Sequence, residues 1–106
     1  MLFRSQAKQF HHRALNIDLK KLGPEHVDVA TTYSQLGSVY QALGDFEEAK
    51  QFHRDALKIR LKKLGPDHVS VATTYSHLGS LYQDLGDFER AKQRSEEHTS
   101  ELQSQR

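Results

Sequence analysis

The chain contains no cysteine. That excludes a disulfide framework and thiol chemistry. It contains no run of about 18 apolar residues, the length that a helix crossing a bilayer requires. Met1 to Gln6 lacks the apolar stretch of a secretory leader. Neither sign of charge dominates: 15 Lys and Arg stand against 14 Asp and Glu, for a net charge of +1. This balance gives no electrostatic case for nucleic acid or an anionic membrane as partner. No segment alternates apolar and polar residues for long enough to argue a strand. Gly44-Asp45 and Gly86-Asp87 are not phosphate loops, because no strand precedes them and no Gly-Lys-Ser/Thr follows. There is no Ser elbow and no inward pair of carboxylates. The expectation is a soluble, cytoplasmic chain of 106 residues that is not an enzyme and takes no cofactor. At that length it is at most one small domain with a modest core.

What is present is a repeat. Shifted by 42 positions, Ala7–Glu48 lies on Ala49–Arg90, and 32 of the 42 pairs are identical. The differing pairs include His12/Arg54, Asp18/Arg60, Gln35/His77 and Val39/Leu81. A period near 40 residues marks a solenoid or propeller built by stacking one supersecondary unit. Val29, Tyr33, Leu36 and Tyr40 fall on one helical face. Gly44 suits the left-handed position that ends a helix. Asp45 suits the next N-cap, with Glu48 placed as in a capping box. Phe46, Ala49, Phe52, Ala56, Ile59 or Leu61, and Leu64 then continue at mixed three- and four-residue steps. Lys62, Lys63, Gly65 and Pro66 end that helix through dipole compensation, a left-handed cap and a residue that cannot continue it. The unit is a pair of antiparallel helices, so the fold class is all-α, an α-solenoid of about two repeats.

These residues resemble a tetratricopeptide repeat. Tyr33, Leu36, Gly37, Tyr40, Ala49 and Ala56 sit where that family places its signature, and Tyr75, Leu78, Gly79, Tyr82 and Ala91 repeat it. The 42-residue period and the linker "LGPEHVDVATTY" are similar to the long repeats of kinesin light chain and nephrocystin-3. The resemblance covers Ala7–Gln93. It implies a second helix over 7–22, a full repeat over 26–64, a first helix over 68–85 and the start of a second helix over 87–93. It also implies recognition of a protein or peptide along a concave groove lined by first helices. The expected groove residues are Thr31, Ser34, Gln35, Ser38 and Gln41, then Thr73, Ser76, His77, Ser80 and Gln83. They are neutral hydrogen-bonding groups. No Lys or Arg stands among them, which disfavours a carboxylate clamp. Ser34-Gln35 and Ser76-His77 replace the Asn-Asn usual in kinesin-light-chain-like repeats.

Seven histidines raise the question of a metal. His11 and His53 are repeat equivalents, as are His26 and His68, so they point in parallel rather than converge. His11 and His12 diverge by about 100° around a helix. No metal site is expected, and the basic pairs Lys20-Lys21 and Lys62-Lys63 are read as dipole-compensating helix ends.

The repeat fails after Gln93. Counterparts of Phe52, Ala56, Leu57 and Leu61 are Arg94, His98, Thr99 and Gln103. The stretch "RSEEHTSELQS", Arg94–Ser104, resembles the translation of a short-read sequencing adapter, and Leu2–Ser5 resembles its opposite flank. The expected organisation is therefore a non-repeat end over 1–6, the array over 7–93 and a foreign tail over 94–106. An array cut in this way leaves Tyr75, Leu78 and Tyr82 partly uncovered and favours self-association through the incomplete end. The readings that compete with groove recognition are a structural spacer or self-assembling segment, the sensor arm of a larger ATPase or transferase, and an artefactual reading frame without a function of its own. In the spacer reading Ser34, Ser38, Ser76 and Ser80 are replaceable, whereas Tyr82→Glu abolishes association.

Overall fold

A computed structural model describes residues 2–104, and the surroundings of the side chains over residues 3–93. Among the described residues the chain is helical, with four elements: α1 (Leu2–Leu22), α2 (Val27–Ala42), α3 (Phe46–Leu64) and α4 (Val69–Ser104). Each packs on the next in chain order, α1 on α2, α2 on α3 and α3 on α4. This is the helical-repeat solenoid that the 42-residue period predicts. α1 begins earlier than the repeat does. The Arg4 guanidinium donates to the Ala42 carbonyl at 3.0 Å and ties that first turn to the end of α2.

The turn between α2 and α3 follows from Gly44, whose φ of +84° is a left-handed conformation that glycine adopts without steric cost. The Asp45 N–H donates to the Tyr40 carbonyl at 2.9 Å and the Gly44 N–H to Gln41 at 3.1 Å. This is the paired hydrogen bonding of a Schellman motif. The expected capping box is absent, because the Asp45 side chain makes no cap hydrogen bond. The Schellman bonds hold the turn instead. Gly65 carries φ +87° and ψ 163°. That differs from the expected left-handed helical cap and lies in a region open essentially to glycine alone.

Two histidines supply caps that Ser, Thr, Asp or Asn usually supply. His26 Nδ1 accepts from the Asp28 N–H, and His68 Nδ1 accepts from the Ser70 N–H, each at 3.0 Å. They begin α2 and α4 in the same way, one repeat apart.

The core forms two clusters that share α3. Leu15, Val29, Ala30, Leu36, Ala56 and Ile59 bury one another between α1, α2 and α3. Ala49, Leu78 and Leu81 form the second between α3 and α4. Leu36 and Leu81 are fully buried, and each such side chain contributes about 1.5–3 kcal/mol. Leu78, expected to be partly uncovered, is buried in the cluster that Phe46 and Leu57 of α3 and Tyr40 of α2 pack against; Tyr75 and Tyr82 are exposed.

The largest departure lies at Gly86-Asp87. The expected turn between helices over 68–85 and 87–93 does not form, and α4 runs through both residues. Ala91, expected to pack as Ala49 does, is exposed. A turn costs backbone hydrogen bonds and is rewarded only when the returning helix buries an apolar face. Beyond Gln93 the sequence offers no such face, so the continuous helix keeps its i to i−4 bonds.

Candidate functional site

The inter-repeat contacts place the polar side chains. Thr32 of α2 donates to Asp18 Oδ2 of α1 at 2.9 Å. At the equivalent joint Arg60 Nη1 of α3 donates to Thr74 Oγ1 of α4 at 2.7 Å. One position thus carries an acceptor in the first copy and a donor in the second, and threonine serves both. Likewise His12 Nε2 meets the Tyr40 hydroxyl at 2.9 Å, and Arg54 donates to the Tyr82 hydroxyl. The substitutions between copies are matched to a common geometry.

The expected groove residues separate into three sets on this frame. Thr31, Gln35 and Ser38 form an exposed stripe on α2, and Thr73 and Ser80 continue it on α4. Gln41 joins the two helices, since its Nε2 donates to Asp84 Oδ2 at 2.7 Å and lies 3.4 Å from Ser80 Oγ. Asp84 was not among the expected residues. Its signal in the sequence is the Ala42/Asp84 difference between otherwise matching copies. Ser34 does not lie on the open stripe. It is buried and accepts from Arg60 Nη1 at 3.0 Å. Its equivalent Ser76, together with Gln83, is exposed on the end of the array, where a further repeat would cover it.

His77 leaves the stripe for a different reason. Its ring lies 5.4 Å from that of His53, and its Nδ1 is buried without a partner. His53 is fully buried, with both ring nitrogens unsatisfied. It seats against Gly37 so closely that a Cβ there would lie 2.7 Å from its Nε2. Burial, then the neighbouring His77 and Arg60, push the His53 pKa down to about 4. His53 is therefore neutral at physiological pH. Burial also pushes the Arg60 guanidinium downward, and raises the phenols of Tyr33 and Tyr40. Among the described residues no three His, Cys, Asp or Glu side chains converge as a metal-holding group.

The stripe is a row of amides and hydroxyls held on rigid helices. Gln35, Ser38 and Ser80 offer donors and acceptors, whereas the Thr31 and Thr73 hydroxyls donate to the Val27 and Val69 carbonyls of their own helices and are left as acceptors. Among the described residues no helix is long and apolar enough to cross a membrane.

A tetratricopeptide-repeat family model matches residues 5–62, and a second tetratricopeptide-repeat model matches residues 71–97. The second match ends four residues beyond the Gln93 boundary expected from the internal repeat. No curated protein matches the chain.

Proposed function

Because the chain belongs to the tetratricopeptide-repeat family, whose members are typically non-enzymatic protein-interaction modules, we propose that it binds an extended protein segment along the stripe of α2 and α4. The observation that carries this reading is the exposed row Thr31, Gln35 and Ser38, continued by Thr73 and Ser80 across the Gln41–Asp84 bond. Successive amides and hydroxyls on fixed helices match the alternating donors and acceptors of a peptide backbone. The 42-residue period supports the long-repeat subtype of kinesin light chain and nephrocystin-3.

The test uses a peptide selected from a random display library and then synthesised. Its affinity is measured by titration calorimetry against the full chain. Ser38→Arg, which places a bulky cation in the middle of the stripe, lowers affinity by about tenfold or more. Glu47→Gln, exposed on α3 and outside the stripe, leaves it unchanged. Failure to enrich any peptide, or equal affinity for Ser38→Arg, overturns the reading.

We also read Arg94–Arg106 as foreign to the repeat. The loss of the apolar counterparts of Phe52, Ala56, Leu57 and Leu61 supports this. Resequencing the template across the Gln93 codon decides it: codons for a sequence like "FHRDALKIRL" support a foreign tail, and codons for "RSEEHTSELQSQR" in the source genome refute it.

A further inference from the structure

The two ends of the array are the two halves of one interface. α1 is the repeat equivalent of α3, and Phe10, His11, Ala14 and Ile17 match Phe52, His53, Ala56 and Ile59 in identity. On α3 these four side chains pack against α2, where Ala56 and Ile59 are buried in the core, Phe52 stacks on Tyr40 and His53 seats on Gly37. On α1 the same face is uncovered: Phe10 is 65% exposed and Ile17 62%. The receiving surface is duplicated as well. Ala72, Tyr75, Gly79 and Tyr82 of α4 repeat Ala30, Tyr33, Gly37 and Tyr40 of α2. On α4 they face outward, with Tyr75 54% and Tyr82 43% exposed. A Cβ at Gly79 meets nothing within 4 Å, where one at Gly37 meets the His53 ring.

We propose that α1 of one copy docks on α4 of a second copy, in the position that α3 takes on α2, so that chains join head to tail. The occupant is fixed by identity. The helix that α4 lacks has the same contact residues as the helix that each chain carries uncovered at its other end. In the joint, His11 of the incoming copy seats over Gly79 as His53 seats over Gly37. The joint continues the α2–α3 interface already present within the chain and completes the repeat that α4 begins. It uses a different surface on each copy, so it is heterologous, and because it repeats the stacking step of an open solenoid it extends the array rather than closing a ring. Every added chain leaves one free α1 and one free α4. The joint uses the two ends of the array and leaves the stripe free for a peptide.

Analytical ultracentrifugation of the full chain tests it. The weight-average mass of the wild type rises with concentration and passes that of a dimer. Phe10→Glu blocks the donor face and Tyr75→Glu blocks the acceptor face. Each variant alone is monomeric, with wild-type helicity by circular dichroism. Mixed in equal amounts they form a dimer of one each and nothing larger, because one intact joint remains. Gly79→Ala has room for its methyl within one chain, so it keeps its helicity and weakens association by about tenfold or more. A monomeric wild type, a mass that stops at the dimer, or a mixture that stays monomeric overturns the proposal. If a glutamate variant loses helicity, the Gly79→Ala result decides, and association equal to wild type overturns the proposal.

Discussion

The pentapeptide Leu-Gly-Asp-Phe-Glu occurs twice, at 43–47 and at 85–89, in two conformations. At the first site Gly44 takes φ +84° and the chain reverses into α3. At the second Gly86 stays within α4. Local preference is the same at both, so it does not decide the outcome. What differs lies downstream. After Leu43 the chain returns Ala49, His53, Ala56 and Ile59, all of which become buried. After Leu85 only Ala91 corresponds, and the sequence beyond Gln93 becomes polar. A helix-ending signal is thus conditional: glycine permits the reversal, and the apolar face that follows drives it.

The largest predicted effect comes from making the second site like the first. Replacing residues 94–103 with the sequence of residues 52–61, "FHRDALKIRL", restores the missing face. The chain then reverses at Gly86, and Tyr75 and Tyr82 become covered. The added burial stabilises the chain by on the order of 3–5 kcal/mol in urea unfolding. Backbone chemical shifts report Gly86 leaving helical geometry. A helix that still runs through Gly86 would show that the returning apolar face does not drive the reversal.

The next effect is one of pH and belongs to the first copy, where the histidine of the returning helix is buried. His53 is held near a pKa of about 4, against an ordinary value of 6.5. The folded state therefore refuses a proton that the unfolded state accepts. Stability from this group is complete above pH 6.5 and falls as pH drops from 6.5 to 4, by about 3 kcal/mol in all. Urea midpoints at pH 7.5, 5.5 and 4 measure it, with His53→Asn as the reference that lacks the imidazole. A midpoint difference between wild type and His53→Asn that does not change with pH would remove His53 as the cause.

How far the sequence could be read follows the same division. The 42-residue identity placed α1, α2 and α3, because periodicity, a glycine turn and Lys-Lys-Leu-Gly-Pro endings agree across two copies. That Thr31, Gln35 and Ser38 share one exposed face of α2 follows from helical periodicity; that this face lines a groove is what the family resemblance implies. Ser34 was not, since its burial depends on Arg60, 26 positions away, donating to it. His77 was not either, because it pairs with His53 from another helix. The caps from His26 and His68 were illegible for a local reason: histidine is not among the usual N-cap residues, and only the observed Nδ1 bonds reveal the role. The run through Gly86 is not legible in the local sequence, because the glycine signal ends a helix only when an apolar face follows to be buried.

The two helix-interior glycines give the smallest and sharpest contrast. Gly37 and Gly79 are repeat equivalents within the same sequence, Leu-Gly-Ser. At Gly37 a methyl would lie 2.7 Å from Nε2 and 2.8 Å from Cδ2 of the buried His53 ring. The ring is packed on all sides and cannot swing away without moving α3. Gly37→Ala therefore destabilises the chain by about 2 kcal/mol, the cost of overpacking less the gain in helix propensity. At Gly79 the space is open, so Gly79→Ala stabilises by about 0.5–1 kcal/mol. Urea unfolding at concentrations where the chain is monomeric compares the two. In the chain carrying "FHRDALKIRL" after Gln93, a histidine stands at position 95 and closes over Gly79. There Gly79→Ala changes sign and becomes destabilising, as Gly37→Ala is. A substitution whose effect reverses when only its distant partner is supplied separates packing from propensity, because the helix around Gly79 is the same in both chains.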